Sequence, residues 1–211
     1  MVGHLLQYHP VFKTIRKVVD ANAIGKLNYI YSKRLSYGII RSNEDVTWSF
    51  APHDVSMILS LAGDVPEFVS SKSTSILQKN IADISSIHME FKSGLKSDIS
   101  VSWLNPFKEV KLVIVGKSGM IVFDDTKLWN EKLALYSYKF EISRDVPTLK
   151  KFNEDFITVP EVEPLKNECK HFIDVVENNI KPLTNENEGL QVLKVLIAAT
   201  QSQKDNKTIK I

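Results

Sequence analysis

The chain has 211 residues, of which 27 are basic and 25 acidic, for a net charge of +2, and 43% are hydrophobic. That balance suits one globular domain able to bury most of its apolar surface, and it argues against nucleic acid or an acidic lipid surface as partner. A single cysteine, Cys169, excludes an internal disulfide and fits a reducing compartment. No apolar run approaches the roughly 20 residues that span a bilayer. No basic head with a cleavage site opens the chain. The expected location is the cytoplasm.

In chain order, Met1 to His9 reads as a strand without leader or cap, as if the sequence were joined in the middle. His9-Pro10 then opens a helix with Val11, Ile15, Val18 and Val19 on one stripe, closed by Gly25. Leu27 to Ser36 alternates and is a strand; a polar loop from Tyr37 to Thr47 follows. Pro52 suits the first position of a helix over 52–62, with Val55, Ile58, Leu59 and Ala62 at helical spacing and Gly63 at its end.

From Glu67 to Tyr138 the period is two. The expected strands are Phe68–Leu77, Ile84–Phe91, a return through Ile99, Val101 and Trp103, Lys111–Val115, Met120–Phe123 and Leu133–Tyr138. Ser93-Gly94 and Lys117-Ser118-Gly119 are hairpin turns. Residues 139–162, with Pro147 and Pro160, read as a long arm or loop. Two helices end the chain. One carries Leu165, Cys169 (expected buried), Phe172, Ile173 and Val176; the other carries Leu190, Leu193, Leu196, Ile197 and Thr200 behind an Asn185/Glu188 cap.

The fold class is therefore α+β: a single domain over 1–211, mostly antiparallel β-sheet with helices packed on one face. Leu112, Ile114 and Val122 suggest an apolar second side, which leaves the other face available for oligomerisation.

Few motifs survive inspection. Gly116-Lys117-Ser118 lacks the first P-loop glycine, since Lys111 stands there, and a strand rather than a helix follows. No G-x-G-x-x-G is present, so no cofactor-binding residue is assigned in this chain. The five histidines lack metal-ligand spacing with cysteine, and no metal site is assigned. His88 reads as solvated, and Asp124-Asp125 as a turn.

His53 and Asp54 stand out, placed by this reading in the first helical turn behind Trp48 and Phe50. A titratable pair at an aromatic-walled helix mouth can do acid/base work; plain capping is the alternative. Arg34, Tyr37 and Arg41 precede them, and two guanidinium groups near a helix start suit a phosphate or carboxylate.

The ordered set Gly3-His4-Leu5-Leu6-Gln7-Tyr8-His9-Pro10, Ile24-Gly25-Lys26-Leu27, Trp48-Ser49-Phe50-Ala51-Pro52-His53-Asp54, Val101-Ser102-Trp103, Asp124-Asp125-Thr126, Glu163-Pro164-Leu165, Pro182-Leu183-Thr184 and Glu188-Gly189-Leu190 resembles the C-terminal domain of the Gfo/Idh/MocA oxidoreductases. The branch it is most similar to oxidises UDP-N-acetylglucosamine-type sugars at C3. The resemblance covers essentially the whole chain. It implies an NAD(P)-dependent dehydrogenase of sugars or sugar nucleotides, with this part contacting substrate and forming a homo-oligomer. His53 would be the catalytic acid/base, with Arg34, Tyr37, Arg41, Trp48 and Asp54 around the substrate. NAD(P) would be bound by a Rossmann domain absent here, together with its Glu-Lys-Pro lysine, and supplied as a separate partner or lost. A non-enzymatic sugar-nucleotide-binding or dimerisation module is the alternative.

Overall fold

The structure is a computed structural model and describes residues 1–143 and 146–211. Helices α1 (Pro10–Asp20), α2 (Val46–Ala62), α3 (Pro164–Asn178) and α4 (Glu186–Asp205) accompany strands β1 (Leu27–Tyr37), β2 (Phe68–Thr74), β3 (Ile84–Glu90), β4 (Lys96–Ser102), β5 (Leu104–Gly116), β6 (Gly119–Asp124), β7 (Leu133–Ser143), β8 (Val146–Phe156) and β9 (Ile209–Lys210). The strands form one sheet in the order β8-β7-β6-β5-β1-β4-β3-β2-β9. Among the described residues only β1 and β4 pair in parallel. The other pairings are antiparallel, as in the expected α+β fold.

The sheet has a covered and an open face. Ile30, Ile87, Met89, Ile99, Val101 and Trp103 are fully buried beneath the helices. Their register partners continue that face: Ile30 stands opposite Ile114, and Ile114 opposite Ile121. Burial of such side chains contributes about 1.5–3 kcal/mol each.

Several expectations change. Residues 5–8 form a short 3-10 turn rather than part of a strand, so the opening segment stays outside the sheet. Segment 139–162 is largely not a loop: β7 runs to Ser143 and β8 pairs with it along its length. Pro147 fits because β8 is an edge strand and needs no inward N–H there. Leu112 and Ile114 face the helices and are buried, so Val122, opposite Val113, marks the open side instead.

The helical pair at the end divides. α4 packs on β2 and α2, but through Val192, Val195, Leu196, Ala198 and Ala199, whereas Leu190, Leu193 and Ile197 are exposed. α3 packs on the 3-10 turn alone among its closer neighbours. Its stripe of Leu165, Phe172, Ile173 and Val176 is exposed, and so is Cys169, contrary to the expected burial. No helix is long and apolar enough to cross a membrane among the described residues.

Candidate functional site

α2 begins earlier than its proline suggests. Asp45 is the cap, its side chain accepting from the Trp48 amide at 3.1 Å, and Pro52 lies inside the helix. Pro52 has no N–H for the Trp48 carbonyl one turn back. Gly63, at φ +69°, closes the helix in a conformation that glycine adopts without strain. His53 is thus two turns inside α2, and the helix-mouth argument for it does not hold.

The sheet decides what surrounds it. Ile30, Ser32 and Arg34 alternate on the covered face of β1, bringing Ser32 and Arg34 under α2. Arg34 Nε donates to Asp54 Oδ2 at 2.7 Å and Nη2 to Oδ1 at 3.3 Å, while Ser32 Oγ donates to Oδ1. Asp54 is 1% exposed with both oxygens engaged. Burial opposes the Arg34 charge, and the Asp54 carboxylate outweighs it, holding the guanidinium above its usual range. A buried carboxylate so committed holds a cation; it is not a free base.

His53 is half-buried, and its Nδ1 is buried without a hydrogen-bond partner. Burial first, then the neighbouring Arg34 charge, hold its pKa below the ordinary histidine value. The side chain is therefore a neutral imidazole near neutral pH, able to accept a proton.

A cavity of about 570 Å³ lies between α2 and α4, walled by Trp48 and Pro52 of α2, Leu190, Leu193 and Leu196 of α4, and His4; His53 is not among its lining residues. Trp48 is fixed by its Nε1 donating to Thr200 Oγ1 at 3.0 Å. Phe50 points elsewhere, its ring edge-on to Trp103 at 6.5 Å. Tyr37 is 71% exposed, and Arg41 pairs with Glu44 at 3.0 Å. Neither lines this cavity nor bonds to the Arg34–Asp54 pair among the described residues.

Sequence reasoning assigned no such role to three polar groups here. His4 sits against Glu188, and Ser56 of α2 donates to the same carboxylate at 2.6 Å. The Asn185 cap is present, accepting from the Asn187 and Glu188 amides, but Glu188 reaches His4 instead of closing a capping box. The x-x-Glu spacing pointed to Glu188 without revealing its destination.

A second histidine group ties the sheet to the N-terminal segment. His9 Nδ1 caps α1 by accepting from Val11, its ring stacks on Trp129 at 5.6 Å, and its Nε2 lies 3.7 Å from Asp125. Asp125 also takes Lys132 Nζ at 2.6 Å. Burial, reinforced by Lys132 and opposed by Asp125, pushes His9 down to about 4. Asp124 makes the expected turn, accepting from the Thr126 amide and hydroxyl.

Comparison with known proteins adds the following. The GFO/IDH/MocA C-terminal domain family matches residues 12–122. Inositol 2-dehydrogenase of Rhizobium meliloti (strain 1021) is 24% identical over the whole of this chain and 64% of its own length. For scyllo-inositol 2-dehydrogenase (NAD(+)) of Bacillus subtilis (strain 168) the identity is 22%, with 62% of its length covered. The chain thus spans less than two thirds of these relatives. Among solved structures, UDP-N-acetylglucosamine 3-dehydrogenase GnnA from Acidithiobacillus ferrooxidans superposes with a TM-score of 0.81 at 18% identity, covering 96% of this chain and 62% of that one. An Agrobacterium radiobacter oxidoreductase in complex with NAD+, L-tartaric acid and magnesium gives 0.73 at 15% identity, covering 100% and 64%. With its matched segment making up just over half of its length and its fold shared throughout, this chain belongs to the GFO/IDH/MocA family, as a bearer of its C-terminal domain.

Proposed function

We propose that this chain is the substrate-binding and assembly part of an NAD(P)-dependent dehydrogenase acting on a CH–OH group of a sugar or sugar nucleotide. The observation that carries the reading is His53: a half-buried, uncharged imidazole whose Nδ1 has no hydrogen-bond partner, next to the Arg34–Asp54 pair. The dehydrogenase names of the relatives support the reaction class.

The dinucleotide needs a separate holder. No G-x-G-x-x-G occurs in the sequence, and the β1-to-α2 connection carries only Gly38, packed near Phe50 rather than open to a pyrophosphate. The residues present do not fit a dinucleotide cradle, so a Rossmann domain as a separate or adjoining partner completes the proposal. When bound, NAD(P) supplies the hydride acceptor.

This chain's own residues do the rest. His53 takes the hydroxyl proton as the carbonyl forms. The Arg34–Asp54 pair fixes the helix under His53, and Arg34 disfavours a charged imidazole more than Asp54 favours it. Trp48 offers an apolar wall to a ring face. Assembly uses the open sheet face, where Tyr29, Tyr31, Val115 and Val122 are partly exposed. The location proposed with this reading is the cytoplasm.

Calorimetry on the chain tests the binding half. UDP-N-acetylglucosamine or inositol is expected to bind, and Trp48→Ala to weaken that binding about tenfold. Joined to its nucleotide-binding partner, the chain should reduce NAD(P)+ with such a sugar. Binding without reduction in the joined assembly would favour the non-enzymatic module.

A further inference from the structure

The two edges of the sheet are unlike. β9 ends one of them with two residues, Ile209–Lys210. At the other end β8 runs for 11 residues, all of them exposed. A short or covered edge keeps unpaired N–H and C=O groups from joining another chain, and β8 is neither.

β8 also has little behind it. β6 follows β7 only as far as Ser137, and from Lys139 onward β8 is the strand paired with β7. A two-stranded ribbon is marginal in water, and a third strand or a packed face is what stabilises one. The apolar side chains of this ribbon are turned outward: Phe140, Val146, Leu149 and Phe152 are between 49% and 60% exposed.

The charges along β8 say what fits the edge. Lys150 and Lys151 are followed, across Phe152 and Asn153, by Glu154 and Asp155. Lysines on an edge ordinarily repel a second strand. Here the same edge carries their counter-charges. A second β8 turned antiparallel about Asn153 sets its Asp155 opposite Lys151 and its Glu154 diagonally across from Lys150, and the two-fold axis repeats both pairs. The register also keeps the faces. Phe152 and Glu154 stand opposite Tyr138 and Tyr136 of β7, on the open side, and remain on that side in both copies. A parallel copy in register would set lysine against lysine instead.

We propose that β8 is a dimerisation edge: two copies of this chain pair antiparallel through residues 150–155 into one continuous sheet, the lysine pair of each against the acidic pair of the other. This surface is distinct from the open face assigned to assembly above, and it does not depend on the sugar reading.

The test measures the mass of the full 211-residue chain by sedimentation velocity over a dilution series. Lys150→Glu with Lys151→Glu makes the edge wholly acidic, and Glu154→Lys with Asp155→Lys makes it wholly basic. The in-chain contacts these changes disturb, Lys150 with Glu141 at 3.7 Å and Tyr136 donating to Glu154, are exposed and contribute little. Wild type is expected to show a concentration-dependent association step. Each reversed variant is expected to self-associate at least about tenfold more weakly, and an equimolar mixture of the two to recover the wild-type step. Three results overturn the proposal: a wild type that is monomeric throughout, reversed variants that associate as wild type does, or a mixture that stays apart. The second of these would leave the open face as the assembling surface. Should a double reversal not fold by circular dichroism, Lys151→Glu and Asp155→Lys take its place and are read in the same way. Neither sugar nor dinucleotide enters the measurement, so its outcome is separate from any failure to find dehydrogenase turnover.

Discussion

Two corners of the molecule each hold a histidine with a depressed pKa, and they differ in what the ring has left to give. Around His9 everything is committed: Nδ1 caps α1, Nε2 faces Asp125, and the ring lies between Phe123 and Trp129. Around His53 the charges beneath are committed to each other, but the imidazole is half-exposed and its Nδ1 has no partner. A lowered pKa alone marks both positions. Of the two, unspent hydrogen-bonding capacity marks only His53 as a candidate for chemistry.

The contrast breaks first at Asp54. Asp54→Ala strands Arg34 as a buried, uncompensated charge and should cost about 3–5 kcal/mol in urea unfolding. A loss under about 1 kcal/mol would mean that Arg34 escapes to solvent. Next comes His9→Ala, which removes a helix cap and a packed ring and should cost about 2–4 kcal/mol. The corresponding His53→Ala should stay within about 1 kcal/mol of wild type. Equal losses at the two sites would erase the distinction.

A pH series sharpens it further. His9 titrates near 4 in the folded chain and near 6.5 when unfolded, so between these values the unfolded state binds more protons. Stability is full above about pH 6.5 and falls as pH drops toward 4, with a limiting slope of about 1.4 kcal/mol per pH unit. His9→Gln should flatten that slope between pH 6.5 and 4, as read from urea midpoints. The smallest effect is expected at Arg41, whose exposed pair with Glu44 should contribute less than about 0.5 kcal/mol on Arg41→Ala. The same variant should leave sugar binding unchanged in calorimetry.

What the sequence disclosed follows from how strongly each segment is constrained locally. The Ser93-Gly94 turn was legible because Gly94 takes φ +86°, and the Asn185 cap because its side chain answers amides two and three residues on. The start of α2 was not. That helix is buried on nearly all sides, so its apolar pattern has no edge, and Pro52 was a stronger signal than the modest Asp45 cap. β8 was hidden for the opposite reason: its side chains are exposed throughout, leaving no period of two to read. The stripes on α3 and on Leu190, Leu193 and Ile197 of α4 showed that those helices carry an apolar side, while packing alone decided which side turned inward. At the site, residue identity drew attention to His53, Arg34 and Asp54. That Asp54 serves Arg34, and that His4 reaches Ser56 through Glu188, depends on register and tertiary approach that no short motif encodes.

The most direct test of the account is turnover by the chain joined to its nucleotide-binding partner, wild type against His53→Ala, measured as NAD(P)H formation from a sugar or sugar-nucleotide substrate. The account predicts that kcat falls by about 10²–10⁴-fold while KM changes little. Unchanged kcat in a folded His53→Ala assembly, or no NAD(P)H from the wild-type assembly with such substrates, would contradict it.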